Sequence, residues 1–153
     1  MSGLRTFVVL FLLVAFVNAN YWKLCDDSGN GVKITDVEIT GCTGPPCVFK
    51  KGENATVNVK FTSNNDYDHL YTSMCGIILG KCLNLPLADS DECDEGATCP
   101  IKKGSKQEIT VIVHLDKSFP SVKVVADFSI QKDKNEDDPK KGEGCFAVEI
   151  QLK

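Results

Sequence analysis

The sequence predicts an all-β protein, an antiparallel sandwich or barrel stapled by disulfides. Four segments alternate apolar and polar side chains with a period of two, which is typical of strands that bury one face. No comparable stretch combines a helix cap with an apolar period of 3.6 residues. Turn-rich segments separate the strands, and this spacing favours antiparallel connections over a parallel sheet.

The first 19 residues predict a secretory signal that is removed from the fold. Arg5 precedes the apolar run 7–17, and small side chains lead up to Ala19. The run is about half as long as a membrane span, which argues against an N-terminal anchor helix. We therefore expect a signal peptide at residues 1–19 and a single domain at 20–153. We expect its location to be extracellular, with the lysosomal lumen as the alternative.

The predicted strands begin with Val32, Ile34, Val37 and Ile39, which suggest either a strand pair or one bulged strand. Four longer ladders follow: Ala55, Val57, Val59 and Phe61; Ile109, Val111, Val113 and Leu115; Val122, Val124, Ala126, Phe128 and Ile130; and Phe146, Val148, Ile150 and Leu152. The segment 131–144, QKDKNEDDPKKGEG, predicts a long solvated hairpin loop.

Composition excludes some function classes. The chain has 17 Lys and Arg against 21 Asp and Glu, a formal net charge of −4. A nucleic-acid binder needs a basic face to neutralise phosphates, so we expect no nucleic-acid partner. Asn54 begins an Asn-Ala-Thr sequon, a candidate N-glycosylation site on the surface.

The eight cysteines predict disulfides, because their number is even and secretion places them in an oxidising compartment. Cys42–Cys47 and Cys93–Cys99 would each close a small loop, and each loop is followed by Lys-Lys-Gly, at 50–52 and 102–104. We expect each Gly to take a positive φ where the next strand starts. Neither spacing has a matching His or Cys knuckle for zinc, and no C-x-x-C is present for redox chemistry, so we expect no metal and no cofactor.

The other four cysteines allow two further pairs. Cys25 with Cys145 would tie the first strand to the last, and Cys75 with Cys82 would pair across the hairpin around GIILGK. Eight cysteines allow 105 connectivities, so spacing alone does not fix the pairing.

The chain resembles the ML-domain family of lipid-recognition proteins, in its Niemann–Pick type C2 and mite group 2 allergen branch. The residues that carry the resemblance, in order, are Cys25, Cys42-x4-Cys47, a strand ending in Phe61-Thr62-Ser63-Asn64, Gly76-Ile77-Ile78-Leu79-Gly80, Pro86, Cys93-x5-Cys99-Pro100-Ile101, Phe119-Pro120-Ser121 and Cys145.

This resemblance implies an immunoglobulin-like β-sandwich of two antiparallel sheets with a hydrophobic cavity between them. It implies the pairs Cys25–Cys145, Cys42–Cys47 and Cys93–Cys99. Cys75–Cys82 has no counterpart in the family's sterol carrier and rests on parity and proximity. The resemblance also implies pocket walls at Leu85, Leu115 and Phe119, with Leu85 standing where that carrier has an aromatic ring.

The alternation identifies side chains that point inward, but they could equally form a plain core. We expect Phe61 and Phe128 deep inside and Leu85 and Phe119 at the entrance. The candidate lining residues are Val57, Val59, Phe61, Leu85, Ile109, Val111, Val113, Leu115, Phe119, Val124, Ala126, Phe128, Val148 and Ile150.

The predicted function is a secreted, monomeric carrier of a sterol, fatty acid or similar apolar molecule. The alternative is a lipid-sensing recognition protein in innate immunity or chemical communication. Lys81, Lys102 and Lys103 are candidates for a headgroup or for transient membrane or receptor contact, or are simply solvated turn lysines.

An enzyme is the third class, and the sequence argues against it. The chain has no G-x-S-x-G elbow and no metal triad. Its acidic segment, Asp89, Asp91, Glu92, Asp94 and Glu95, is expected to be an exposed loop without a catalytic carboxylate pair.

Overall fold

The computed structural model describes residues 20–85, 87, 90–136 and 138–153, so the predicted signal peptide lies outside the described residues. This part of the chain contains no α-helix, and hence no helix that is long and apolar enough to cross a membrane. The all-β prediction is confirmed. The elements in chain order are β1 Trp22–Leu24, β2 Val32–Ile39, β3 Cys47–Phe49, β4 Asn54–Ser63, β5 Tyr71–Ile78, β6 Lys81–Leu85, β7 Lys106–His114, β8 Lys123–Gln131, the 3-10 turn Pro139–Lys141 and β9 Gly144–Leu152.

The strands form two sheets that pack face to face. The larger has the order β1-β9-β8-β5-β6, and the smaller has the order β2-β4-β7. All of these neighbours pair antiparallel. The exception to the predicted antiparallel pairing is β3, which runs parallel to residues 150–152 of β9. The chain reaches β3 from the opposite sheet instead of through a hairpin, so nothing forces the antiparallel direction.

A single bulged strand resolves the ambiguity near the start. The register of β2 against β4 shifts between Ile34 and Asp36. A bulge changes which residues face inward, so Val32 and Ile34 before it and Val37 and Ile39 after it are all buried.

The two Lys-Lys-Gly segments play the same structural role at opposite ends of the β4–β7 pair. Gly52 precedes β4 with φ of 84°, and Gly104 precedes β7 with φ of 79°. The Gly52 N–H donates to the carbonyl oxygen of Leu115, just after β7, and the Gly104 N–H donates to that of Ser63 at the end of β4. Each glycine therefore ties the start of one strand to the end of its antiparallel neighbour.

The structure contains four disulfides and no free cysteine: Cys25–Cys145, Cys42–Cys47, Cys75–Cys82 and Cys93–Cys99. Their sequence separations differ greatly, from 5 residues for Cys42–Cys47 to 120 for Cys25–Cys145. The long one joins the two ends of the domain, and the short ones constrain local loops.

The segment 131–144 is less solvated than its composition predicts. Gln131 is buried at the end of β8, and its Nε2 donates to Ser129 Oγ at 2.9 Å and to the Asp138 carbonyl oxygen at 3.1 Å. Pro139 is also buried. The lysines of the segment are exposed, whereas Glu136, Asp138 and Glu143 are half-buried. The buried anchors therefore hold part of the segment against the domain.

Candidate functional site

On the inner face of the larger sheet, the side chains become smaller toward one end. Cross-strand register places its side chains in rows, and in one row Gly76 and Ala126 contribute almost no volume. A Cβ built on Gly76 would meet nothing beyond its chain neighbours nearer than Val124 Cγ2 at 3.9 Å. This row therefore leaves room against the smaller sheet. The two central rows are Met74–Phe128–Phe146 and Gly76–Ala126–Val148.

A cavity of about 40 Å³ lies between the sheets at this end. Its lining is wholly apolar. Phe49 and Met74 are half-buried, and the other lining side chains are buried. The lining residues are Ile39, Phe49, Ala55, Val57, Met74, Val113, Leu115, Ala126, Phe128, Phe146, Val148 and Ile150.

Aromatic rings form one wall of the cavity. Phe128 and Phe146 stack with ring centroids 4.9 Å apart and an interplanar angle of 26°. Trp22 meets Phe146 edge-on at 6.2 Å. Beyond these rings, the sandwich is closed by fully buried side chains such as Phe61, Ile109 and Ile130. The cavity thus occupies one half of the interior and ordinary core occupies the other.

The segment between β7 and β8 begins after Leu115, which lines the cavity. Asp116 accepts backbone hydrogen bonds from Ser118 through its Oδ1 at 2.7 Å and from Phe119 through its carbonyl oxygen at 3.1 Å. The hydrogen bonds from Ser118 lower the pKa of the Asp116 carboxyl. This turn directs Phe119 back onto the core, where it is half-buried, and Val124 also packs against the core.

The cavity is small for a ligand. A volume of this size holds about three water molecules, whereas pockets for drug-sized molecules span roughly 300–1,000 Å³. No strand ladder between described residues joins the smaller sheet to the larger one. Separation of the two sheets would therefore break no ladder hydrogen bond.

The model of the ML-domain family matches residues 19–152, nearly the whole chain. The chain belongs to the ML-domain family. Curated relatives agree. The bovine NPC intracellular cholesterol transporter 2 is 32% identical over 103 residues, which is 67% of this chain and 69% of the relative. The mite group 2 allergen Lep d 2 of Lepidoglyphus destructor is 32% identical over 117 residues, 76% of this chain and 81% of the relative.

Solved structures show the same ML-domain fold. A Niemann–Pick type C2 protein from the Japanese carpenter ant superposes with a TM-score of 0.74 at 21% identity, covering 86% of this chain and 99% of that one. Chicken MD-1 complexed with lipid IVa superposes with a TM-score of 0.52 at 15% identity, covering 85% and 86%. The sandwich is therefore the ML fold, as the resemblance implied.

The predicted lining residues of this ML domain fall into three groups. Those at the cavity are Val57, Val113, Leu115, Ala126, Phe128, Val148 and Ile150. Those in the closed core at the other half are Val59, Phe61, Ile109 and Val111. Those that are half-buried near the surface are Leu85, Phe119 and Val124.

Leu85 lies apart from the cavity. It ends β6, opposite Met74 on β5, and lines a shallow surface depression with Thr72 and Leu87. Met74 borders both the depression and the cavity. Leu85 is therefore separated from the inner space by one side chain.

Five lining residues are absent from the predicted set: Ile39, Phe49, Ala55, Met74 and Phe146. Ile39, Ala55 and Phe146 already belong to predicted ladders, so the alternation itself could have included them. Phe49 and Met74 stand on strands without clear alternation, and only the sheet pairing brings them inward.

The acidic segment contains one correction to the sequence prediction. Glu92 is fully buried, not exposed, and its backbone N–H donates to the Leu70 carbonyl oxygen at 2.9 Å. Burial raises the pKa of its carboxyl to about 8. Thr72 Oγ1 lies 3.5 Å from Oε1, while Oε2 has no hydrogen-bond partner among the described residues. Asp89 lies outside the described residues.

The lysines proposed for headgroup contact are exposed but not gathered at the cavity. Lys102 and Lys103 precede the start of β7, whereas the cavity residues Val113 and Leu115 lie at its end. Lys81 follows the tip of the β5–β6 hairpin. Nothing in this arrangement forms a basic rim.

Proposed function

We propose that this ML domain binds one small apolar molecule, a sterol, a fatty acid or a similar lipid, between its two sheets and carries it through an aqueous compartment. The observation that carries the proposal is the wholly apolar cavity between the sheets, lined by Ala126 in the row of small residues. The neighbouring row, Met74–Phe128–Phe146, is filled by large side chains, so the loss of bulk at Gly76 and Ala126 is a local feature of the sheet.

Binding is driven by removing the lipid's apolar surface from water, roughly 25 cal/mol per Å² before association costs. The lipid must also separate the sheets, which loses packing between their facing side chains. Because the cavity has no polar lining, an acyl chain or a sterol ring system loses no hydrogen bond there. A polar headgroup has to remain at the surface, beside the segment that holds Phe119.

The relatives support a lipid ligand. The bovine relative is named a cholesterol transporter, and the chicken structure holds lipid IVa in the same fold. These two ligands differ greatly in size, so the fold by itself does not select one lipid class.

A matched pair of variants on β7 tests the proposal. Val113 faces the cavity, while its neighbour Ile112 is 50% exposed on the outer face. Val113→Phe fills the cavity, and we expect it to abolish uptake of dehydroergosterol and cis-parinaric acid measured by fluorescence. Ile112→Phe should bind both like the wild type. Equal binding by both folded variants would contradict a site between the sheets.

A transfer assay separates carrier from sensor. The loaded protein is mixed with acceptor vesicles, and a carrier delivers the fluorescent lipid to them. A recognition protein, the alternative, retains the lipid and forms a stable complex with a partner protein. We propose the carrier, and retention with complex formation would favour the alternative.

We propose that the protein acts outside the cell or in the lysosomal lumen, after removal of a signal peptide at residues 1–19. We propose that it acts as a monomer and without catalysis. Asn54 is exposed, and its Oδ1 lies 2.9 Å from His114 Nδ1. This contact uses the amide oxygen, so the amide nitrogen stays available for the proposed glycan.

A further inference from the structure

The outer face of the larger sheet carries a trough that the lipid cavity does not explain. Its volume is about 410 Å³, within the range of small-molecule sites. The sheet forms its floor through Ile77, Val125 and Ala147. The segment 25–27 after β1 and the 3-10 turn at 139–141 bound one end.

A carboxylate stands in the middle of this apolar floor. Asp127 on β8 pairs in register with Cys75 on β5 and with Ala147 on β9. One of its oxygens lies within 4.8 Å of both sulfurs of Cys25–Cys145. Within the described part of the chain it has no hydrogen-bond or ion-pair partner. Burial raises the pKa of this carboxyl, and the charge of Lys23 on β1 opposes that rise.

The charges around the trough are mainly negative. Lys140 forms an ion pair with Asp27 at 3.6 Å and thereby links the two walls at one end. Asp138 accepts the Lys140 backbone N–H through its Oδ1 at 3.1 Å. Asp26 adds a further acid to the rim, and Lys23 is the remaining basic residue of the lining.

We propose that this trough is a second binding site, for a small organic ammonium ion with an apolar body. The ammonium group would donate to Asp127, and the apolar body would cover Ile77 and Val125. Val125 is 37% exposed, unusual for a valine in the centre of a sheet, and a ligand body on the floor would bury it.

The chemistry of the floor selects this class over others. A neutral apolar molecule would cover Asp127 without pairing it, and a buried unpaired carboxylate is unfavourable. An anion would meet the same carboxylate and the acidic rim. A cation with an apolar body satisfies both the charge and the hydrophobic floor, and charge-assisted hydrogen bonds are the stronger kind.

The probe for the test is 1-naphthylmethylammonium, compared with 1-naphthylmethanol and 1-naphthoate of the same ring system. Binding is followed by backbone amide shifts in ¹⁵N NMR spectra and by titration calorimetry. We expect shifts concentrated at Ile77, Val125 and Asp127, and affinity for the ammonium that exceeds that for the alcohol and the carboxylate.

Three variants test whether the preference for the ammonium depends on the Asp127 carboxylate. Asp127→Asn keeps the shape of the side chain and should weaken binding of the ammonium by about tenfold or more. Val125→Lys places a cation beside Asp127 and should abolish binding. Asp36→Asn, on the exposed edge of the other sheet, is the matched control and should change nothing.

Three results would overturn the proposal. The first is equal affinity of Asp127→Asn for the ammonium. The second is a set of shifts centred on Phe128 and Val113 that disappears in Val113→Phe, because the naphthyl ring would then occupy the inner cavity. The third is concentration-dependent dimerisation in ultracentrifugation that Val125→Lys removes, because the trough would then be covered by a second copy.

Discussion

Gly76 on β5 lies directly opposite Ala126 on β8, facing the smaller sheet. Two small residues of the inner face therefore share one row, and Ala126 and Val148 of this row line the cavity. The adjacent row contains Phe128 stacked on Phe146, which closes the space toward the far half of the core. We propose that this row is what separates a lipid site from a plain sandwich core in this chain.

Filling the row should remove lipid binding and preserve the fold. Ala126→Leu adds three carbons to the cavity, and overpacking of this kind typically costs about 1–3 kcal/mol. We expect dehydroergosterol and cis-parinaric acid to bind at least about tenfold more weakly. Fluorescence titration measures this, and urea denaturation checks that the variant is folded. Unchanged affinity in the folded variant would place the lipid elsewhere.

Phe119 should matter more for lipid binding than for stability. It is half-buried against the core, so Phe119→Ala removes less packing than truncation of a fully buried ring, which costs about 3–5 kcal/mol. In this variant, a bound lipid would lose its contact with the aromatic ring. We expect a small fall in urea midpoint and a larger fall in lipid affinity. Phe61→Ala, in the closed core, should instead lower stability more than it lowers lipid affinity. Lipid affinity equal to the wild type in folded Phe119→Ala would contradict an entrance role for Phe119.

Glu92 should make the protein less stable as the pH rises. Burial raises the pKa of its carboxyl to about 8 in the folded chain, from an ordinary value of 4.5. Between these values the folded state binds more protons than the unfolded state, so the free energy of unfolding falls with increasing pH. The stabilisation is complete below about 4.5 and is lost as the pH approaches 8.

Glu92→Gln has nearly the same shape but a side chain that does not titrate. We therefore expect a weaker dependence of the free energy of unfolding on pH in this variant. Urea unfolding at pH 5, 6, 7 and 8 measures it, with the exposed Glu38→Gln as control. A wild-type slope that persists in Glu92→Gln would assign the effect to another group.

The Cys75–Cys82 disulfide should be a local staple. Its loop spans a sequence separation of 7 residues, and loops this short stabilise by about 2 kcal/mol through chain entropy. The double variant Cys75→Ser, Cys82→Ser should fold and lose about that much. Removing Cys25–Cys145, with a separation of 120, should cost about 5 kcal/mol by the same relation. Equal losses in urea unfolding would show that the two disulfides do not act through loop length.

Much of the fold was predictable because alternation marks the buried face directly. The ladders around Val57, Val113 and Phe128 all face the interior, as their period of two requires. The bulge in β2 does not follow from the sequence, because the positions of Val32, Ile34, Val37 and Ile39 allow either one strand or two. The parallel β3 was not foreseen, because three residues carry no periodicity and the pairing with β9 depends on the path of the whole chain.

The cavity could not be read from alternation alone. Gly76 and Ala126 are 50 positions apart in sequence, and only the register of β5 on β8 places them in one row. Glu92 illustrates the same limit for a polar residue. Its acidic neighbours suggest a solvated loop, yet the fold of that segment turns this one side chain under the surface.

Native mass spectrometry of the purified protein, before and after solvent extraction, tests most directly whether a lipid lies between the sheets. We predict one adduct per chain with the mass of a sterol or fatty acid, removed by extraction, restored by added lipid, and absent from Ala126→Leu. A wild-type protein that carries no adduct and takes up neither sterol nor fatty acid would contradict the proposal and show that the two sheets form a closed core.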